Sequence, residues 1–162
     1  MLKTKNGIEN WLKKYEIQNY TINNDLTVDV DGDVYLYYKK LKQIPIKFDI
    51  IKGYFNCSNN YLTSLDFCPK EVGGNFNCSW NELTSLEFCP IEIGGDFNCS
   101  WNELISLDGC PKSVGGDFYS NIFSDDEYRF HLIQIERKEF AETLNSTLSH
   151  KQDVKPNKRL KI

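Results

Sequence analysis

The tetrapeptide Phe-Asn-Cys-Ser begins at Phe55, Phe76 and Phe97, each time 21 residues after the last. Everything around it moves in the same step. Gly53, Gly74, Gly95 and Gly116 are in register with one another and with Gly32. Leu62, Leu83 and Leu104 follow Leu41, and Leu65, Leu86 and Leu107 follow Ile44. Val72, Ile93 and Val114 close successive units after Ile51. The period holds without insertion from Gly32 to Gly116, giving four full units and a fifth that breaks off. A strict period of this length predicts a stack of identical supersecondary units, because 21 residues cannot bury their own apolar face.

Within a unit, Phe76 and Cys78 alternate with Asn75, Asn77 and Ser79, the period of a half-buried strand. Strands of successive units are expected to pair in parallel, ~4.8 Å apart. Asn60, Asn81 and Asn102 then form a column whose amides can satisfy backbone groups of the turn after each strand. Proline after Cys68, Cys89 and Cys110, together with the doubled glycine, predicts an extended, turn-rich return path without a long helix.

Read from Phe76, the unit is Phe-x-Cys-x-x-Asn-x-Leu-x-x-Leu (Phe76, Cys78, Asn81, Leu83, Leu86). It resembles the leucine-rich-repeat signature, with Phe and Cys in place of its first two leucines. The Cys-Pro pairs fall where short bacterial-type repeats carry Leu-Pro. The likeness spans about 32–125, and the first unit departs from it, with Lys39 at the Asn place and Tyr35 to Tyr38 over Asn-Cys-Ser-Asn. The doubled glycine and the wording of the motif are also similar to repeat proteins of bacteriophage genomes. The resemblance implies an α/β leucine-rich-repeat solenoid, with a parallel sheet of about five short strands and a mostly extended convex side.

Both ends of such a stack need covering. Ile8, Trp11, Leu12 and Tyr15 recur at helical spacing over 4–15, and Tyr20-Thr-Ile and Leu26-Thr-Val-Asp-Val read as a hairpin around Asn23-Asn24-Asp25. Ser124-Asp-Asp-Glu127 is a capping box opening a helix from 125 to about 143, expected to lie across the last coil. The expected organisation is an N-terminal helix and hairpin cap (1–31), the solenoid (32–123), a C-terminal capping helix (124–148) and a basic disordered tail (149–162). The tail carries Lys151, Lys155, Lys158, Arg159 and Lys161 against Asp153. Neither a secretory signal nor an apolar run of the ~18 residues a membrane helix needs is present, which predicts a cytoplasmic, reducing address and no membrane partner. A net charge of −4 argues against a polyanionic partner for the chain as a whole.

Six cysteines form two sets, Cys57/Cys78/Cys99 and Cys68/Cys89/Cys110. Close Cys-x-x-Cys pairs of the zinc-site kind are missing, and the reading is of small buried hydrophobes in two ladders, with inter-coil disulfides disfavoured by redox context. Asp29-Val-Asp31-Gly-Asp33 opens like a calcium loop, but Val34 and Lys40 stand where Gly and Glu are required, so it reads as a polar turn. His131 and His150 form no Ser/His/Asp or Cys/His arrangement, and the expectation is no enzyme activity, no metal and no cofactor. The ubiquitin-ligase members of the bacterial repeat class carry a further catalytic domain, for which 125–162 is too short.

Alternation places three columns on the outward, concave face of the sheet. They run Asp33, Tyr54, Asn75, Asp96, Asp117; then Tyr35, Asn56, Asn77, Asn98, Tyr119; then Tyr37, Ser58, Ser79, Ser100, Ser120. Just beyond come Tyr38, Asn59, Trp80 and Trp101, with Glu82 and Glu103 making an acidic rim. The tryptophans either fold over the neighbouring turn or anchor a partner, since interface hot spots favour Trp and Tyr. The candidate partner-binding set is Trp80, Trp101, Tyr35, Tyr37, Tyr54, Asn77, Asn98, Asp96, Asp117, Tyr119, Glu82 and Glu103. The expected function is recognition of another protein, and the phage likeness suggests inhibition of a host protein, such as a defence component. The alternative is a nucleic-acid-associated protein using the basic tail and exposed aromatics, against which the Asp/Asn/Ser face argues.

Overall fold

The computed structural model describes residues 1–152. Thr4 caps the first helix, α1 (Lys5–Lys14), by accepting a hydrogen bond from the Gly7 N–H at 3.2 Å. The hairpin follows as β1 (Tyr20–Ile22) and β2 (Thr27–Val30), paired antiparallel. Each coil then contributes two short strands: β3 (Val34–Tyr35) and β4 (Lys47–Ile51), β5 (Phe55–Asn56) and β6 (Glu71–Val72), β7 (Phe76–Asn77) and β8 (Glu92–Ile93), β9 (Phe97–Asn98) and β10 (Ser113–Val114), and finally β11 (Phe118–Tyr119). The last helix is α2 (Asp125–Gln152).

These strands form two sheets, β1-β2-β4-β6-β8-β10 and β11-β9-β7-β5-β3. All pairs except β1–β2 are parallel, and the register steps by one repeat, as in Phe55↔Phe76↔Phe97↔Phe118. The chain is thus a β-solenoid of about four turns with parallel sheets and a C-terminal helix. The return path is extended, as the prolines and glycines foretold, but its strands also pair sideways into a second sheet. Strand β2 is the first long rung of that sheet, so the hairpin is continuous with the solenoid. An irregularity between Val28 and Val30 absorbs one extra residue of β4 and sets the 21-residue step.

The doubled glycines sit at the bend between the second strand of one coil and the first strand of the next. Their backbone is not left-handed; the requirement is closeness. A methyl group on Gly94 would collide with the Gly73 carbonyl oxygen, and one on Gly95 with Asn75 Oδ1. Any side chain there would push successive coils apart.

One aromatic spine fills the core. Phe48, Phe55, Phe76, Phe97 and Phe118 follow one another at centroid distances of 5.4 to 5.7 Å. Trp11 of α1 covers the first ring and Tyr128 in the first turn of α2 stacks on the last, at 4.6 Å. Tyr128 also donates its hydroxyl to the Pro111 carbonyl at 2.9 Å. The capping box forms, with the Ser124 N–H donating to Glu127 Oε2 at 2.7 Å and the Glu127 N–H to Ser124 Oγ at 3.2 Å. Residues from Arg129 onward form a second unit, a helix that continues to Gln152. It is longer than the expected end near 143 and takes in 149–152, which were assigned to the tail; 153–162 of that tail lie outside the described residues. Among the described residues no helix is long and apolar enough to cross a membrane.

The six cysteines are free thiols, five of them buried and Cys110 half-buried. Burial pushes Cys99 up to about 12 and Cys110 to about 11, so both are protonated and unreactive at neutral pH. Melting curves recorded with and without dithiothreitol are expected to coincide. A lower midpoint under reduction would reveal cross-links between coils and overturn the free-thiol core.

Candidate functional site

Asparagines hold the turn that carries the surface aromatics. Asn81 Oδ1 accepts from the Leu62 N–H at 3.0 Å, while its Nδ2 donates to the carbonyls of Cys57 and Cys78 at 3.1 and 3.0 Å. Asn60 and Asn102 repeat these contacts one coil away, and each Cys57 and Cys78 carbonyl is shared by two successive amides. In the first coil, where Lys39 takes the Asn place, Asn60 Oδ1 accepts from both the Lys39 and Leu41 N–H groups. The backbone just before each asparagine is left-handed: φ is 54° at Tyr38, 55° at Asn59, 55° at Trp80 and 58° at Trp101. Asparagine tolerates that conformation, whereas a large side chain in it costs on the order of 1 kcal/mol or more. The N–H groups of Asn59 and Trp80 are pinned at 3.0 Å by the carbonyls of Ser79 and Ser100, and Trp101 N–H by Asn121 Oδ1 at 2.7 Å. The near-equal φ values start the side chains of this column in similar directions.

Trp80 and Trp101 consequently stack, with centroids 4.7 Å apart and planes at 16°, and each remains about half exposed (52% and 54%). They lie at the bend past the sheet rather than on its face. Glu82 and Glu103, exposed, occupy the next outward column with Tyr61. Toward the first coil, Tyr35, Tyr37, Tyr38 and Tyr54 form a cluster of edge-to-face rings 5.8 to 6.3 Å apart. Between Tyr38 and Trp80 an open groove of about 280 Å³ is lined by Lys40, Asn59, Asn60 and Tyr61. The structure therefore links the tryptophans to the tyrosines through Tyr38 and Tyr61, neither of which was in the expected binding set.

Other expected residues serve the fold. Asp96 Oδ1 accepts from the Asp117 N–H at 2.9 Å, and Asp33 Oδ1 from the Tyr54 N–H at 2.8 Å. Tyr119 donates its hydroxyl to Asp117 at 3.2 Å and Tyr35 to Asp33 at 3.0 Å, bonds that raise both phenols above their ordinary value. Asp29 accepts from the Ile50 N–H and Asp31 pairs with Lys52, which accounts for the carboxylates of the calcium-like string. Asn77 and Asn98 turn Oδ1 toward the N–H of Ser79 and Ser100, leaving Nδ2 without a protein partner among the described residues.

The third outward column is corrected. Ser58 and Ser79 are buried, because each strand of the five-stranded sheet is two residues long and alternation stops before the serine; the Ser79 hydroxyl donates to Asn77 Oδ1 at 2.7 Å. Ser120 belongs with Cys99, since Tyr119 pairs with Asn98, and Asn121 takes the place given to it. A second left-handed corner carries Phe67 and Phe88, with φ of 68° and 64°. There Phe88 and Ile91 stand exposed beside an apolar groove of about 520 Å³. Sequence reasoning missed this patch because Phe at a corner looks like core. No protein-family model matches the chain, and no curated protein or solved structure shows significant similarity to it.

Proposed function

We propose that the chain is a short-type leucine-rich-repeat protein, a non-catalytic binding module that recognises another protein around the Trp80–Trp101 pair. The observation that carries the reading is that pair: two large rings, stacked and half exposed, kept at left-handed positions that disfavour them. Rigid, partly desolvated aromatics are what interface anchors are made of. The asparagine ladder supports the repeat class, and six free thiols support a reducing, cytoplasmic setting. The two outward columns of the five-stranded sheet contain neither Lys nor Arg, which favours a protein over a nucleic acid there. The likeness to bacteriophage repeats extends the proposal to an inhibitor of a host protein.

Affinity capture from a bacterial lysate, followed by titration of the captured partner, tests the reading. Changing both Trp80 and Trp101 to Ala is expected to weaken binding at least ~30-fold, about 2 kcal/mol, with the far-UV spectrum unchanged. Deleting 153–162 is expected to leave affinity intact. Normal binding by the double variant, together with loss on tail deletion and a steep salt dependence, would replace this reading with nucleic-acid association through the tail.

A further inference from the structure

The left-handed column has a ring at Tyr38, Trp80 and Trp101 but not at Asn59. Since all four backbones are alike, a ring at Asn59 would continue the stack. Its place is instead the open groove between Tyr38 and Trp80. Two coils separate those rings, roughly 9–10 Å of backbone spacing. That is about twice the 4.7 Å between Trp80 and Trp101, so one flat group fits with the same offset stacking on each side. The cation that lines the gap is Lys40, while in the adjoining groove, which shares Tyr61 with it, Glu82 stands with Lys42. Lys40 is exposed and forms no ion pair among the described residues, whereas Lys39 lines a separate groove beside Tyr37.

We infer that the gap at Asn59 seats a single aromatic side chain from an acidic segment of the protein partner. The aromatic ring completes the stack between Tyr38 and Trp80, and a carboxylate next to it in the partner's sequence meets Lys40. A guanidinium or ammonium is disfavoured by Lys40. A nucleobase also fits the gap in shape, but it brings a phosphate at every nucleotide against the single lining cation Lys40 and the neighbouring Glu82, so an acidic peptide with one or two carboxylates is favoured. The inference rests on the protein-binding reading and adds the chemistry of what is bound.

Three probes test it on ¹⁵N-labelled protein: acetyl-Asp-Phe-Asp-amide, acetyl-Lys-Phe-Lys-amide and a deoxyadenosine tetranucleotide. The acidic peptide is expected to shift the Trp80 indole N–H and Asn59 amide resonances, and to bind at least ~10-fold more tightly than either other probe. Asn59→Trp should fill the gap and abolish this binding, its backbone being that of Trp80 one coil on. Should that variant fail to fold, Lys40→Glu serves instead, and is expected to reverse the preference between the two peptides. Tighter binding of the tetranucleotide, acidic-peptide binding unaffected by both variants, or no movement of Trp80 with any probe overturns the inference. If Asn59→Trp binds the captured partner normally while the double tryptophan variant does not, the gap is wrong and the anchor pair stands.

Discussion

Raising the pH from about 8 to about 10 under reducing conditions is expected to lower the unfolding free energy, by on the order of 1 kcal/mol for each buried thiol. Burial holds Cys68, Cys78 and Cys89 well above the ordinary thiol value of 9.0, and pushes Cys99 up to about 12. These thiols keep their protons in the fold, while in the unfolded chain they ionise near the ordinary value. The native state therefore binds more protons above about pH 9, and stability falls as pH rises, until the folded thiols ionise as well. Summed over the buried thiols this is a sizeable share of the stability of an ordinary domain, roughly 5–15 kcal/mol. Urea unfolding at the two pH values measures the loss. Cys78→Ala should flatten the dependence by one thiol's share, whatever it does to stability at pH 8. A stability unchanged between the two pH values would mean that the thiols are not buried in the native protein.

Asn81→Ala is expected to cost about 3–4 kcal/mol in equilibrium denaturation. Among the described residues the Leu62 N–H has no acceptor other than Asn81 Oδ1, and a buried donor left unpaired costs roughly 1–3 kcal/mol. The Cys57 and Cys78 carbonyls each lose one of two donors, and the vacated volume adds a small cavity term. Asn102→Ala should cost less, about 1–2 kcal/mol, because Asn102 is half-buried and water can replace its amide. Equal losses at the two positions would show that burial of the ladder is not what makes it stabilising.

Part of the aromatic surface was legible in the residues. Trp80 and Trp101 break the Leu/Phe/Cys core pattern in adjacent coils, so their proximity followed from spacing, while their half exposure did not. The roles of Asp96, Asp117, Asn77 and Asn98 did not, because an outward polar residue reads the same whether it faces a partner or accepts a hydrogen bond from its own coil or the next. Tyr38 and Tyr61 were passed over since their columns hold Asn59 in one case and Glu82 and Glu103 in the other.

The period by itself determined the coil length, the parallel register, the aromatic and leucine core and the asparagine ladder. Each depends only on equivalent residues falling above one another, and translation by 21 residues guarantees that. Tertiary structure alone decided that the return path pairs into a second sheet, that Ser58 and Ser79 turn inward, and that a gap opens at Asn59 between two rings. These depend on backbone torsion at the corners and on which side-chain oxygen reaches which N–H. Strands of two residues end before alternation can carry that information, so the corners took their shape from contacts between coils.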